Sequence, residues 1–277
     1  MSQRIDRSTL GWFKSRLARA RSLVEYRAGM WLGRHDPLTP PKWLDPGGSR
    51  EKFGETGEEF FRYFVELCAL RPDENVLDVG CGTGRMARPL TTYLEGGSYD
   101  GLEIVASSVR WCRRAYRRHP AFRFHHADLY NKEYNPAGRL AASEYRFPFA
   151  DSSFDFVFLT SVFTHMLSKE VGNYLSEIAR VLRPGGRCLV TYFLLNQESR
   201  KLIGEGASIH DFRHELPGCF AKRSDVPEAA VAYDEDVVRE AFGRRGLLIA
   251  EPIRYGWWCG RERSLSKQDI VIASKPL

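Results

Sequence analysis

The run Asn75-Val76-Leu77-Asp78-Val79-Gly80-Cys81-Gly82-Thr83-Gly84-Arg85 constrains this chain more than any other stretch. Val76, Leu77 and Val79 predict a short buried strand with Asp78 near its end. Gly80, Gly82 and Gly84 then alternate through a turn, and Arg85-Met86-Ala87 restart as a helix. Alternating glycines permit positive φ and let the backbone approach a ligand closely. A helix N-terminus just beyond such a turn offers N–H groups to an anionic or carboxylate-bearing group. The pattern predicts a nucleotide-type site built from main chain.

Glycine spacing selects among nucleotides. The dinucleotide fingerprint requires G-x-G-x-x-G, its third glycine allowing close helix–strand packing. Counted from Gly80, that position is Arg85, whose long side chain does not suit it. The spacing here, D-x-G-x-G-x-G, resembles the first motif of the class I S-adenosylmethionine-dependent methyltransferases, in particular the small-molecule branch called type 11. The resemblance implies S-adenosyl-L-methionine as cofactor, held around Asp78, Gly80, Cys81, Gly82 and Gly84.

Downstream order extends this reading. After a helix over 86–93 and the turn Glu95-Gly96-Gly97, a second strand over 98–104 contains Gly101-Leu102-Glu103. An acid roughly 20 residues past the glycine turn accepts from ribose hydroxyls in nucleotide-binding α/β proteins. Glu103 holds that offset, whereas Asp100 would point from the opposite strand face. A third strand over 122–126 ends in Ala127-Asp128-Leu129. By resemblance, Asp128 bonds the adenine amino group and Leu129 packs on the ring.

A fourth strand over 154–159 closes with Thr160-Ser161-Val162-Phe163-Thr164-His165. Thr160 and Ser161 are expected to line the cofactor's methionine end. His165, just past the strand's carboxyl end, is the candidate general base for a hydroxyl acceptor, with helix packing as the alternative. An amphipathic helix over 168–182 follows, then Arg183-Pro184-Gly185-Gly186 as a chain-reversing corner and a fifth strand over 187–195. The resemblance spans about 58–195 and resumes over 234–274. It implies an α/β fold: a doubly wound, mostly parallel seven-stranded sheet, Rossmann-like, with an N-terminal helical extension and a lid insertion.

The chain of 277 residues, 43% hydrophobic, has enough apolar material for a substantial core and no apolar run of membrane-spanning length. Its N-terminus lacks an apolar signal region, and its cysteines are scattered singly without C-x-x-C pairs. A reducing cytoplasmic setting without structural zinc or disulfides is therefore expected. The net charge of +6 is concentrated in residues 1–34. There Leu10, Phe13, Leu17, Ala20 and Val24 form an apolar stripe on a basic helix. That helix admits docking on the main domain, peripheral contact with an anionic membrane, or contact with nucleic acid. Residues 1–50 thus read as a basic helix and Pro/Gly-rich linker, and 51–277 as the methyltransferase domain. Thr56-x-x-Glu59 reads as the capping box that opens its first helix.

Acceptor motifs narrow the chemistry. The [DN]-P-P-[YF] of amino methyltransferases and the P-C pair of cytosine-C5 enzymes are both missing. No acid follows Leu159 in the manner of the metal-dependent catechol type. A small-molecule acceptor methylated on oxygen leads, with nucleic acid disfavoured. An RNA-modifying enzyme of the same fold and a non-catalytic cofactor-binding scaffold are the rivals. The segment 196–233 is long enough for a lid. Its His210 and His214, with Trp257 and Trp258 of the terminal hairpin loop, are the candidate substrate contacts.

Overall fold

Strands that read as mainly apolar runs become the middle of the sheet, where both faces are covered. β1 (Asn75–Val79) and β4 (Phe154–Leu159) lie side by side, almost wholly buried. β2 (Ser98–Glu103) and β3 (Phe122–His126) extend the sheet from β1, and β5 (Leu182–Tyr192) extends it from β4. These five strands are parallel. β6 (Leu194–Leu195), β7 (His214–Leu216), β8 (Cys219–Ala221) and β9 (Val231–Asp234) form a separate four-stranded sheet in the order β6-β9-β8-β7. β10 (Leu248–Ile249) and β11 (Asp269–Ser274) then close the main sheet, β11 running antiparallel to β5. The seven-stranded order is β10-β11-β5-β4-β1-β2-β3. Strand order reverses at β1, and ligands of such sheets bind at the crevice this reversal opens.

The structure is a computed structural model describing Tyr26, Ala28, Gly29, Leu32, residues 36–45 and residues 49–277. The basic helix expected between Leu10 and Val24, and with it the membrane-contact reading, lies outside the described residues. Among the described residues no helix is long and apolar enough to cross a membrane.

Helices α1 (Arg50–Glu66), α2 (Ala87–Leu90), α3 (Ala106–Ala115) and α4 (Ser168–Val181) flank the sheet. α4 buries Val171, Leu175, Ile178 and Val181, spaced so that one face meets the sheet. α5 (Gln197–Gly204) opens the 196–233 segment, and α6 (Glu235–Gly243) follows it.

Two expectations are corrected. α1 starts at Arg50, not at Thr56: the Ser49 hydroxyl caps it by accepting from Lys52 N at 3.2 Å, and Glu59 accepts from Tyr63 instead. A good cap preceding Glu51-Lys52-Phe53 starts the helix early, because nothing in those residues resists it. Arg183 to Gly186 is not a corner before β5 but an irregularity within it. Leu182 pairs with Phe154 and Arg187 with Phe156, while Gly185 adopts φ +78°. The extra residues loop out without ending the strand.

Residues 36–45 pack on the domain. Leu38 enters the core beneath α1, and the Asp36 carboxylate pairs with the Arg88 guanidinium. The segment 196–233 folds into α5 and most of the small sheet. Phe193, Leu195, Phe212, Ala232 and Trp258 share a core of their own there.

Candidate active site

At the strand reversal lies a cavity of about 670 Å³. Its wall contains Asp78 through Thr83, Leu102 through Val105, Leu129, Thr160 through Val162, and His165. Each group comes from the carboxyl end of a strand or the turn just beyond it.

The glycine turn is held by its own neighbours. Gly80 N and Cys81 N both donate to Leu102 O, at 2.7 and 3.2 Å. Gly82 N donates to Glu103 Oε2 at 2.8 Å, and Val105 N to Glu103 Oε1 at 2.7 Å. β2 thus takes up the N–H groups of Gly80, Cys81 and Gly82 within the turn itself. Each carboxylate oxygen of Glu103 keeps lone-pair capacity for a ligand hydroxyl. Gly80 sits at φ +82°, and a Cβ there would lie 2.4 Å from Val162 Cγ2. Gly82, at φ +53°, has nothing within 4 Å of its would-be Cβ, so the turn leaves open space on the cavity side.

Val162 is brought to Gly80 by a strained backbone. Ser161 adopts φ +59°, secured by Ser161 N donating to Thr191 Oγ1 at 2.7 Å and Gln268 Nε2 donating to Ser161 Oγ at 3.0 Å. Left-handed conformations of non-glycine residues cost of order 1–3 kcal/mol and persist where surroundings over-determine them.

The wall is acidic. Burial pushes the Asp78 carboxyl up to about 8; its Oδ1 has no hydrogen-bond partner among the described residues, while Oδ2 accepts from Tyr99 at 2.6 Å. Burial also raises Glu103, despite its backbone donors, and Glu170. Arg85 is the wall's guanidinium, and it pairs with Asp45 at 3.3 Å. Buried acids without cationic partners favour a cation and repel a pyrophosphate.

His165 ends a short 3-10 turn after β4. Its Nδ1 lies 2.8 Å from the Glu228 carbonyl, which can only accept, so Nδ1 carries the proton and Nε2 the lone pair. Burial lowers its pKa from the usual histidine range. Glu228 belongs to a 3-10 turn over Pro227–Ala229, so the 196–233 segment reaches His165 through this carbonyl.

Other expected residues stand elsewhere. Asp128 leaves the wall although Ala127 and Leu129 are in it, because alternate residues of an extended chain point oppositely. Its carboxylate pairs with Arg139 at 2.5 Å, which lowers its pKa. The Gly84 carbonyl accepts from Tyr116 Oη at 2.8 Å, and Gly84 is outside the wall. Asp100 pairs with Arg123 and His125 on the far side of β2.

The four substrate candidates are also outside the wall. Trp258 is fully buried, its indole N–H donating to Asp269 at 2.7 Å, while Trp257 is 47% exposed. His210 packs on Phe193 and Phe212, and His214 is exposed on β7. In their place the wall takes Tyr130, Asn131, Tyr134, Met166, Glu170 and Tyr174. The aromatic spacing of 130–134 was the available signal in the sequence.

A family model described as a methyltransferase domain matches residues 77–190. An O-methyltransferase of Penicillium expansum is 32% identical over 154 residues, 53% of this chain and 48% of its own length. The chain thus spans about half the length of that curated relative. A solved S-adenosylmethionine-dependent methyltransferase from Methanosarcina mazei superposes with TM-score 0.53 at 23% identity, over 77% of this chain and 97% of that one. A Burkholderia thailandensis 1,6-didemethyltoxoflavin-N1-methyltransferase, solved with that acceptor and S-adenosylhomocysteine, gives TM-score 0.51 at 16% identity, over 100% and 94% of the two chains.

Residues 77–190 match that methyltransferase-domain model, and the fold is the one seen in the Methanosarcina mazei structure. The cavity occupies the crevice between β1 and β4 and is walled by the glycine turn. Gly80→Ala is expected to destabilise the fold by about 2–4 kcal/mol, combining backbone strain with the Val162 clash. Denaturant unfolding measures this, and a variant as stable as the parent would refute the packing role given to Gly80.

Proposed function

We propose that the protein is an S-adenosylmethionine-dependent methyltransferase that methylates an oxygen of a small-molecule acceptor, with His165 as general base. The observation that carries this reading is the acidic wall joined to the glycine turn through Glu103. The residues fit a cationic adenosyl cofactor: Gly82 opens space, Asp78 Oδ1 lacks a partner, and the Glu103 oxygens retain acceptor capacity. Glu103 would take the ribose hydroxyls, Leu129 the adenine face, and Asp78 with Thr160 and Ser161 the methionine end. Asp128, which lies outside the wall and holds Arg139 through Oδ2, would meet the adenine amino group with its remaining acceptor capacity.

When bound, S-adenosylmethionine supplies a methyl group on a sulfonium, which needs no further activation. The chain's own work is alignment, exclusion of water and proton removal. His165 suits the last task because the Glu228 carbonyl fixes its tautomer and aims the Nε2 lone pair away from that anchor. The oxygen preference rests on this base and on the similarity to the Penicillium expansum O-methyltransferase. A polyanionic RNA acceptor is opposed by Glu133 and Glu170 in the wall.

Three outcomes test the reading. Glu103→Ala should weaken S-adenosylmethionine binding about tenfold or more in calorimetry, since charged hydrogen bonds contribute about 1.5–3 kcal/mol. An unchanged affinity would remove the ribose role. Cofactor binding at pH 7 should also release up to about one proton, as Asp78 ionises beside the incoming cation. Calorimetry in buffers of different ionisation enthalpy reads that release, and a null result denies the contact. His165→Ala should lower turnover about 10²–10⁴-fold with little change in cofactor affinity. In the parent, the rate should fall with decreasing pH below the range of an ordinary histidine, as Nε2 takes a proton. An unaltered rate after His165→Ala would assign the residue to packing.

A further inference from the structure

The neighbour of His165 Nε2 is itself a phenol. Tyr134 Oη lies 3.3 Å away, its ring edge-on to the imidazole with centroids 5.1 Å apart and planes at 88°. Nε2 has only a lone pair to offer, so the Tyr134 hydroxyl donates. This contact is long for a hydrogen bond, and the Nδ1 anchor across the same ring is 2.8 Å. Tyr134 is the loose partner, 49% exposed on the loop between β3 and β4.

The main chain beneath it is fixed. Asn131, 9% exposed, accepts through Oδ1 from Glu133 N at 3.1 Å and Tyr134 N at 3.0 Å. Its Nδ2 donates to the His165 carbonyl at 3.0 Å. One amide therefore holds the base and the tyrosine's turn in register, and side-chain rotation is what remains to carry the Tyr134 ring outward.

Resting on the methyl-transfer reading, we infer that the acceptor is a phenol and takes the place at His165 Nε2 that the Tyr134 hydroxyl fills here. The surrounding wall suits a flat ring: Tyr130, Ala142, Met166 and Tyr174 line the same cavity. Acidity agrees with the geometry. A base weakened by burial can take a proton from a phenol, which titrates near ~10. An aliphatic hydroxyl is about as weak an acid as water, near ~16, and holds its proton against such a base. In the transfer, an electron pair of the phenol oxygen forms the bond to the methyl carbon. The carbon–sulfur bond breaks with its pair left on sulfur, the phenol proton goes to Nε2, and the imidazolium later returns it to solvent. An aryl methyl ether and S-adenosylhomocysteine result.

The test uses the full chain and two probes, 4-nitrophenol and 4-nitrobenzyl alcohol, titrated without cofactor by absorbance and calorimetry. Tyr134→Phe keeps the ring and removes the competing hydroxyl. It is expected to bind 4-nitrophenol about three- to tenfold more tightly than the parent. The alcohol should bind more weakly than the phenol to both proteins, and His165→Ala should abolish that preference. Unchanged or weaker phenol binding by Tyr134→Phe, or equal binding of the two probes, would overturn the inference. A parallel assay with methyl-labelled cofactor keeps the two readings apart. Phenol binding that responds to Tyr134→Phe in a chain unable to bind S-adenosylmethionine would sink methyl transfer and uphold the phenol site. Label transfer in a chain whose phenol binding ignores Tyr134→Phe would sink this inference alone.

Discussion

The site depends on the bond from Gly82 N to the Glu103 carboxylate. That contact ties the glycine turn after β1 to the end of β2, and Leu102 O completes the tie by accepting from Gly80 and Cys81. The turn is thereby held with open space over Gly82 and with Gly80 tight beneath Val162. The same bond buries a carboxylate at the crevice. Burying an ion is costly unless hydrogen bonds compensate, and two backbone donors do so here. One interaction thus sets both the shape of the cavity and its sign of charge.

The second half of the chain acts on this site at a distance. The 196–233 segment contributes the Glu228 carbonyl, which orients His165, while Thr191 of β5 and Gln268, just before β11, hold Ser161 in its left-handed conformation. Removing a supporting contact of this kind alters where a reacting atom sits without touching a ligand. The aromatic loop between β3 and β4, by contrast, stands directly in the wall.

Much of the frame was legible because burial imposes simple patterns. Phe122–His126 and Phe154–Leu159 were expected with the bounds observed, and the amphipathic helix expected over 168–182 is α4, Ser168–Val181. The start of α1 was missed because Ser49 outcompetes Thr56 as a cap, a choice between two plausible signals on one short stretch. Asp128 and the pair Trp257-Trp258 were harder. Their residue types invite a binding role, yet Arg139 engages the first, and Asp269 with a satellite core engages Trp258.

The sequence by itself determined the glycine turn, the acid that follows it and the parallel sheet that carries both, since these follow from local backbone demands and from the alternation of apolar strands with helices. Tertiary structure alone decided which polar groups meet. Asn131, Tyr134 and His165 are joined by hydrogen bonds from a loop to a turn more than 30 positions away. No local pattern encodes that meeting, because it depends on how the two elements pack across the end of the sheet.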